Sequence, residues 1–147
     1  AITPACAFVA PWAAVVIGVI SGILCSLAVS IKYKLGFDDS LDVVGVHLVG
    51  GIWGSLAIGL FGSSAVNSLS LDGIFYGGGT ALLGKQALGV GLVFAYSFIA
   101  TLIIGYAIEK TIGFRVKKDA EVEGIDLNEH AETAYEMTSS SRGGSLL

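Results

Sequence analysis

The sequence predicts an all-α fold, a polytopic bundle of membrane-spanning helices followed by a water-exposed tail. Three observations carry that prediction. A mean hydropathy of +0.80, with 14% charged residues over 147 positions, lies far from the composition of a soluble domain. Three apolar runs reach the roughly 20 residues that a helix needs to cross a hydrocarbon core of about 30 Å. The charges are unmixed, with 8 of the 12 acidic and 5 of the 8 basic residues lying from Glu109 onward. The formal net charge of -4 therefore describes a solvated tail, and no basic field suited to nucleic acid is present.

In chain order, the first span is expected over Pro11–Ile31, the second over Val43–Phe61 and the third over Ala87–Ile108. They make a membrane domain of residues 1–108, with a tail over 109–147. Trp12 at the start of the first span and Tyr33 just past its other end suit the interfacial belts. Lys32 and Lys34 follow span one, and Lys110, Arg115, Lys117 and Lys118 follow span three, whereas the connection Gly62–Gln86 carries only Lys85. By the positive-inside rule both basic ends are cytoplasmic and Ala1 faces outward. The opening AITPACAFVA is apolar, lacks an initiating Met and has no basic flank of a signal peptide. It reads as the end of an earlier helix, so the chain is expected to be a carboxy-terminal part of a longer protein. Gly62–Gln86, with the triplet Gly77, Gly78 and Gly79, is expected as an outer loop of close turns that cannot stay helical in isolation. Ser139–Leu147 is expected to be disordered.

The chemistry is expected at His47, an ionisable imidazole inside an apolar run. Charged groups at a membrane helix centre cost about 2.5–3.5 kcal/mol on insertion scales, so such a residue usually marks a pathway. Desolvation disfavours imidazolium, and a neutral ring that donates through one nitrogen and accepts through the other suits a proton relay. The alternative is a structural hydrogen bond to a neighbouring helix. At helical spacing His47, Gly51, Gly54 and Ile58 share a face, while Gly50 and Gly54 form GxxxG. Those small residues serve close helix packing, a narrow conduit, or both on different faces. Asp38 is read as the helix cap; Asp39 and Asp42, on one side, have a buried, structural or pathway role, with ion pairing to Lys32 or Lys34 allowed for.

Other chemistry finds no support. Gly84-Lys85 is followed by Gln86, so no P-loop forms. There is no HExxH or GxSxG, and His130 has no second ligand at metal spacing, so no enzyme, cofactor or metal is expected. Tyr96, Ser97 and Thr101 are read as helix-bonding hydroxyls. Cys6 and Cys25 give no disulfide framework.

Three blocks, ITPACAFV at Ile2–Val9, DDSLDVVGVHLVGGIWG at Asp38–Gly54 and GIDLNEHAETAY at Gly124–Tyr135, resemble the ammonium transporter family, the Amt/Mep group related to Rhesus proteins. The resemblance implies the last three helices of an eleven-helix fold, in a trimer in the cell membrane, with a cytoplasmic terminus. It implies that His47 is the second of two pore histidines. Ammonium, for which methylammonium is an analogue, loses its proton at an outer vestibule, and ammonia and the proton pass inward. The first histidine, the outer aromatic gate and the recruiting residues would lie upstream of Ala1. The resemblance sets Thr3 near the outer end of the pore, gives Asp39 and Asp42 structural importance near its inner part, and makes Gly124, Asp126, His130 and Tyr135 part of a regulatory tail. It also implies a PII-type signalling partner for bacterial members; Asn128 stands where plant relatives have a phosphorylatable threonine. Arg115–Lys118 is otherwise explained by attraction to lipid headgroups. Two other readings remain: an ammonium sensor signalling through the tail, and a membrane subunit that only packs against others.

Overall fold

The computed structural model describes residues 1–132; Tyr135 and Ser139–Leu147 lie outside them. Among the described residues every regular element is helical, and extended pairing is limited to an isolated antiparallel bridge between Val9 and Gly62. The chain forms two units, Ala1–Phe98 and the part from Ile99 on.

In the first unit α1 (Ile2–Ala5) is a single turn. Helix α2 (Pro11–Val29) starts on proline, whose missing N–H is not needed in the first turn. It leads through Ser30 into α3 (Ile31–Leu35), which ends at Gly36. There the backbone turns left-handed at φ +69, a conformation open to glycine at no steric cost, and the Gly36 N–H bonds the Lys32 carbonyl at 2.8 Å. A six-residue π-helix, Val43–Leu48, then runs into α4 (Val49–Phe61). Helix α5 (Ala81–Thr111) has 31 residues, about 46 Å at 1.5 Å per residue. Pro11–Leu35, Val43–Phe61 and Ala81–Thr111 are each long and apolar enough to cross a membrane, so the all-helical, three-span architecture expected from the sequence is present.

The third helix begins at Ala81, six residues before the expected Ala87, so the glycine-rich connection stops at Thr80. Gly84 lowers intrinsic helix propensity by about 1 kcal/mol relative to alanine. Packing overrides it: Leu82 is buried, and the Leu83 backbone closes on Gly59, where a Cβ would lie 2.4 Å from Leu83 Cα. The rest of the connection is ordered too. Asp72 accepts from the N–H and hydroxyl of Ser64 at 2.7 and 3.1 Å, and Ser63 N–H reaches Phe8 O at 3.0 Å. Ile74–Tyr76 form a 3-10 turn.

The core joins α1, α2 and α4 through Ala5, Val9, Ala13, Ile17, Ala57 and Phe61. Above it Phe61 meets Trp12 edge-on at 5.7 Å and stacks on Phe75 at 4.9 Å. Lower down, the Trp53 indole N–H donates to the Ile17 carbonyl at 3.1 Å. An indole N–H in hydrocarbon needs such an acceptor, and this one ties α4 to α2 in mid-span.

The second unit contains the last part of α5, then α6 (Lys118–Glu123) and α7 (Ile125–His130). Glu109 accepts the Phe114 N–H at 2.9 Å where the long helix ends, and Arg115 pairs with Glu121 at 2.7 Å. Gly124, at φ +111, makes the corner between α6 and α7.

Gly59→Val would force branched carbons into the Leu83 backbone. A loss of about 1–3 kcal/mol, the range for overpacking, is expected as a lower thermal midpoint of the detergent-solubilised protein. An unchanged midpoint would show that α4 and α5 are free to separate there.

Candidate functional site

The base of the second span is built from a turn and three charged side chains. Asp42 sits left-handed at φ +57, a conformation in which aspartate is enriched among non-glycine residues, and this turns the chain into the π-helix. The carboxylate of Asp39 accepts the N–H groups of Val43 and Val44 at 2.7 and 2.9 Å. These two donors have no partner within the helix, so the acid both satisfies them and faces the positive end of the helix dipole. Lys32, reaching across from α3, donates to the Asp39 carbonyl at 2.8 Å and ion-pairs with Asp42 Oδ1 at 2.5 Å. The Lys32 side chain is only 14% exposed, and Asp42 Oδ1 is buried. The helix cap is thus Asp39, where the sequence pointed to Asp38; the left-handed turn at Asp42 carries the chain so that the carboxylate four residues before Val43 meets the free N–H groups.

Above this base the π-helix lies against α2. Gly45 approaches so closely that a Cβ would be 2.8 Å from the Val29 nitrogen. The Cys25 thiol is 3.7 Å from the Val46 carbonyl and 3.6 Å from the Ser21 hydroxyl, and a Cβ at Gly50 would stand 3.2 Å from Cys25 Sγ. Each contact is possible because one side offers almost no side-chain volume.

His47 is the fifth residue of the π-helix and is exposed on this chain. Among the described residues no hydrogen bond to its ring is formed. The glycine face divides. Gly51 has open space where a Cβ would stand, whereas at Gly54 a Cβ would fall on the carbonyl of Ala1. The bare wall expected through Gly54 is therefore filled one turn above Gly51, because the amino-terminal segment packs over α4. Gly54 serves packing and Gly51 keeps an open side next to the imidazole.

Thr3 is exposed on α1, and no hydrogen bond joins it to His47. In the second unit Asp126 lies in the first turn of α7 and His130 in its last, with Gly124 at the corner before it. Asn128 donates to Glu123 Oε2 at 3.3 Å and to the Gly124 carbonyl at 3.2 Å, which pins α7 to the end of α6. Tyr135 lies outside the described residues. Sequence reasoning missed two residues that shape the site. Trp53 and Cys25 bond backbone carbonyls of other segments, which no pattern signals. The ion pairing allowed for at Lys32 is made with Asp42.

Removing the Asp39 carboxylate leaves two helix N–H groups without their acceptor. Asp39→Ala is expected to lower stability by about 1–2 kcal/mol, the upper part of the capping range, and Asp39→Asn, which keeps one acceptor oxygen, by less than half of that. Equal midpoints for the wild type and Asp39→Ala in thermal unfolding would refute the capping role.

The model of the Ammonium Transporter Family matches residues 1–135. An ammonium transporter of Mycobacterium tuberculosis (strain ATCC 25618 / H37Rv) is 50% identical over 152 residues, covering 100% of this chain and 31% of that protein. The ammonium transporter of Bacillus subtilis (strain 168) is 42% identical over 137 residues, covering 92% of this chain and 34% of that protein. The chain thus spans about a third of the length of these curated relatives. The crystal structure of Saccharomyces cerevisiae Mep2 superposes with a TM-score of 0.70 at 32% identity, over 76% of this chain and 26% of that one. The family match runs through all three membrane-length helices and into the tail, and the chain is an integral membrane protein that belongs to the ammonium transporter family.

Proposed function

We propose that this chain forms part of the wall of an ammonium-conducting pore in which His47 relays the proton. The observation that carries the reading is an imidazole that makes no hydrogen bond among the described residues, on a membrane-length helix that also presents the open side of Gly51. A polar ring in hydrocarbon costs free energy unless it serves a partner or a passing guest. A π-turn, often found at functional sites, carries it. The other histidine of this chain, His130, belongs to the tail unit, so a second pore imidazole comes from elsewhere in the assembly.

The chemistry follows from desolvation. Bare ammonium entering an apolar conduit would lose its hydration at a cost far above that of neutral ammonia. Deprotonation at the outer mouth lets ammonia pass, while the proton moves by exchange between the two nitrogens of a neutral imidazole. Potassium has no proton to release and is rejected. The exposed apolar surface of α5, with Leu92, Phe94, Phe98 and Ile103 all more than 45% exposed, suits contact with lipid or with other helices of a trimer. The basic residues after spans one and three set the tail on the cytoplasmic side. There α6 and α7, with Gly124, Asp126 and His130, form a surface available to a PII-type regulator or a neighbouring subunit, and Thr3 lies toward the outer end.

In a complete transporter carrying this segment, His47→Ala is expected to reduce methylammonium uptake by about tenfold or more, given the weight typical of proton-transfer groups. Expression and trimer content should be unchanged. Wild-type uptake in a variant that assembles normally would remove His47 from the proton route.

A further inference from the structure

The geometry points to Lys32 as a positioning residue for His47, acting through the π-helix rather than by contact with the transported species. The inference rests on the relay reading given above. The imidazole has no hydrogen bond of its own, so its direction is set by the backbone that carries it. That backbone is a π-helix, a register that is rare and holds one residue more per turn than the α form. Since successive side chains of any such helix point in different directions around its axis, a slip of one residue would carry a side chain from one helix face to another.

Six contacts hold the turn and the start of the helix, and Lys32 makes two of them. The ammonium pairs with the Asp42 carboxylate at 2.5 Å, which belongs to the residue whose left-handed backbone opens the turn. It also binds the Asp39 carbonyl at 2.8 Å, and the carboxylate of that same Asp39 accepts the first two N–H groups, Val43 and Val44. The Asp42 carbonyl accepts the Val46 N–H at 2.8 Å, one residue before His47. The last contact is the close seat of Gly45 on Val29, on the helix that continues into the one bearing Lys32. One cation on the first span thus clamps both ends of the Asp39–Asp42 turn on the second. Neither lysine carbon nor nitrogen needs to reach the pore for this to matter. Lys34, two residues on, is exposed.

The test uses the complete transporter. Lys32→Met keeps side-chain length and removes the charge. Hydrogen exchange of the peptide covering residues 43–49 should speed up by about tenfold or more in the variant, while peptides from the core of α4 keep wild-type protection. Methylammonium flux per assembled trimer should fall, and in combination with His47→Ala it should fall no further than with His47→Ala alone, the non-additivity expected when one residue acts through another. Unchanged exchange at residues 43–49, or flux losses that add, would overturn the assignment. If Lys32→Met does not assemble, Asp42→Asn removes the same ion pair while keeping a side chain that tolerates the left-handed turn, and the same two measurements decide. Failure of the relay reading shows separately, as wild-type flux in His47→Ala; the exchange measurement then still decides whether Lys32 holds the turn.

Discussion

Water is absent from the interior of a membrane, so each backbone and side-chain polar group there has to be satisfied by the protein itself. The packing of α2 against the π-helix and α4 follows from that constraint. At mid-span Trp53 gives its N–H to Ile17 O, nearer the inner end Cys25 faces Val46 O, and at the boundary Asp39 takes up the free N–H groups of the helix start. Among the described residues the His47 ring, on the same stretch of helix, makes no such bond.

Glycine is used in two opposite ways on one helix. At Gly45, Gly54 and Gly59 the missing side chain lets another backbone come within a distance no Cβ could tolerate, and the helices gain dispersion contacts that a larger residue would prevent. At Gly51 nothing approaches, so the missing side chain leaves space. Sequence spacing alone treats the two kinds alike, since GxxxG and a row of small residues on one face overlap in the same segment. What separates them is the amino-terminal segment lying on Gly54, a contact between residues more than fifty positions apart.

That contrast also explains how much could be read before the structure. Span lengths, the helical class and the position of His47 followed from hydropathy and from the rarity of ionisable residues in apolar runs, both of them local properties. Glycine and serine content alone extends the connection to Gln86, while the burial of Leu82 and the seat of Leu83 on Gly59 accompany a helix that begins at Ala81. The cap was assigned to Asp38 rather than Asp39 because the left-handed backbone of Asp42 is invisible in a list of acidic residues. The π-helix has no sequence signature at all; it is the register left to the chain once Asp39, Asp42, Gly45 and Cys25 have each found their partners.

The location of the clamp has a physical logic of its own. A lysine–carboxylate pair deep in hydrocarbon suffers a desolvation penalty that its attraction does not reliably offset, whereas a pair at the end of a span, where the Lys32–Asp42 pair stands, avoids most of that penalty. Strong directional interactions are therefore cheapest at the end of a span, and His47 lies one turn of helix further along. The link from the Lys32 pair to the interior of the second span is therefore backbone, a short π-helical turn anchored at its start by Asp39, Asp42 and Lys32.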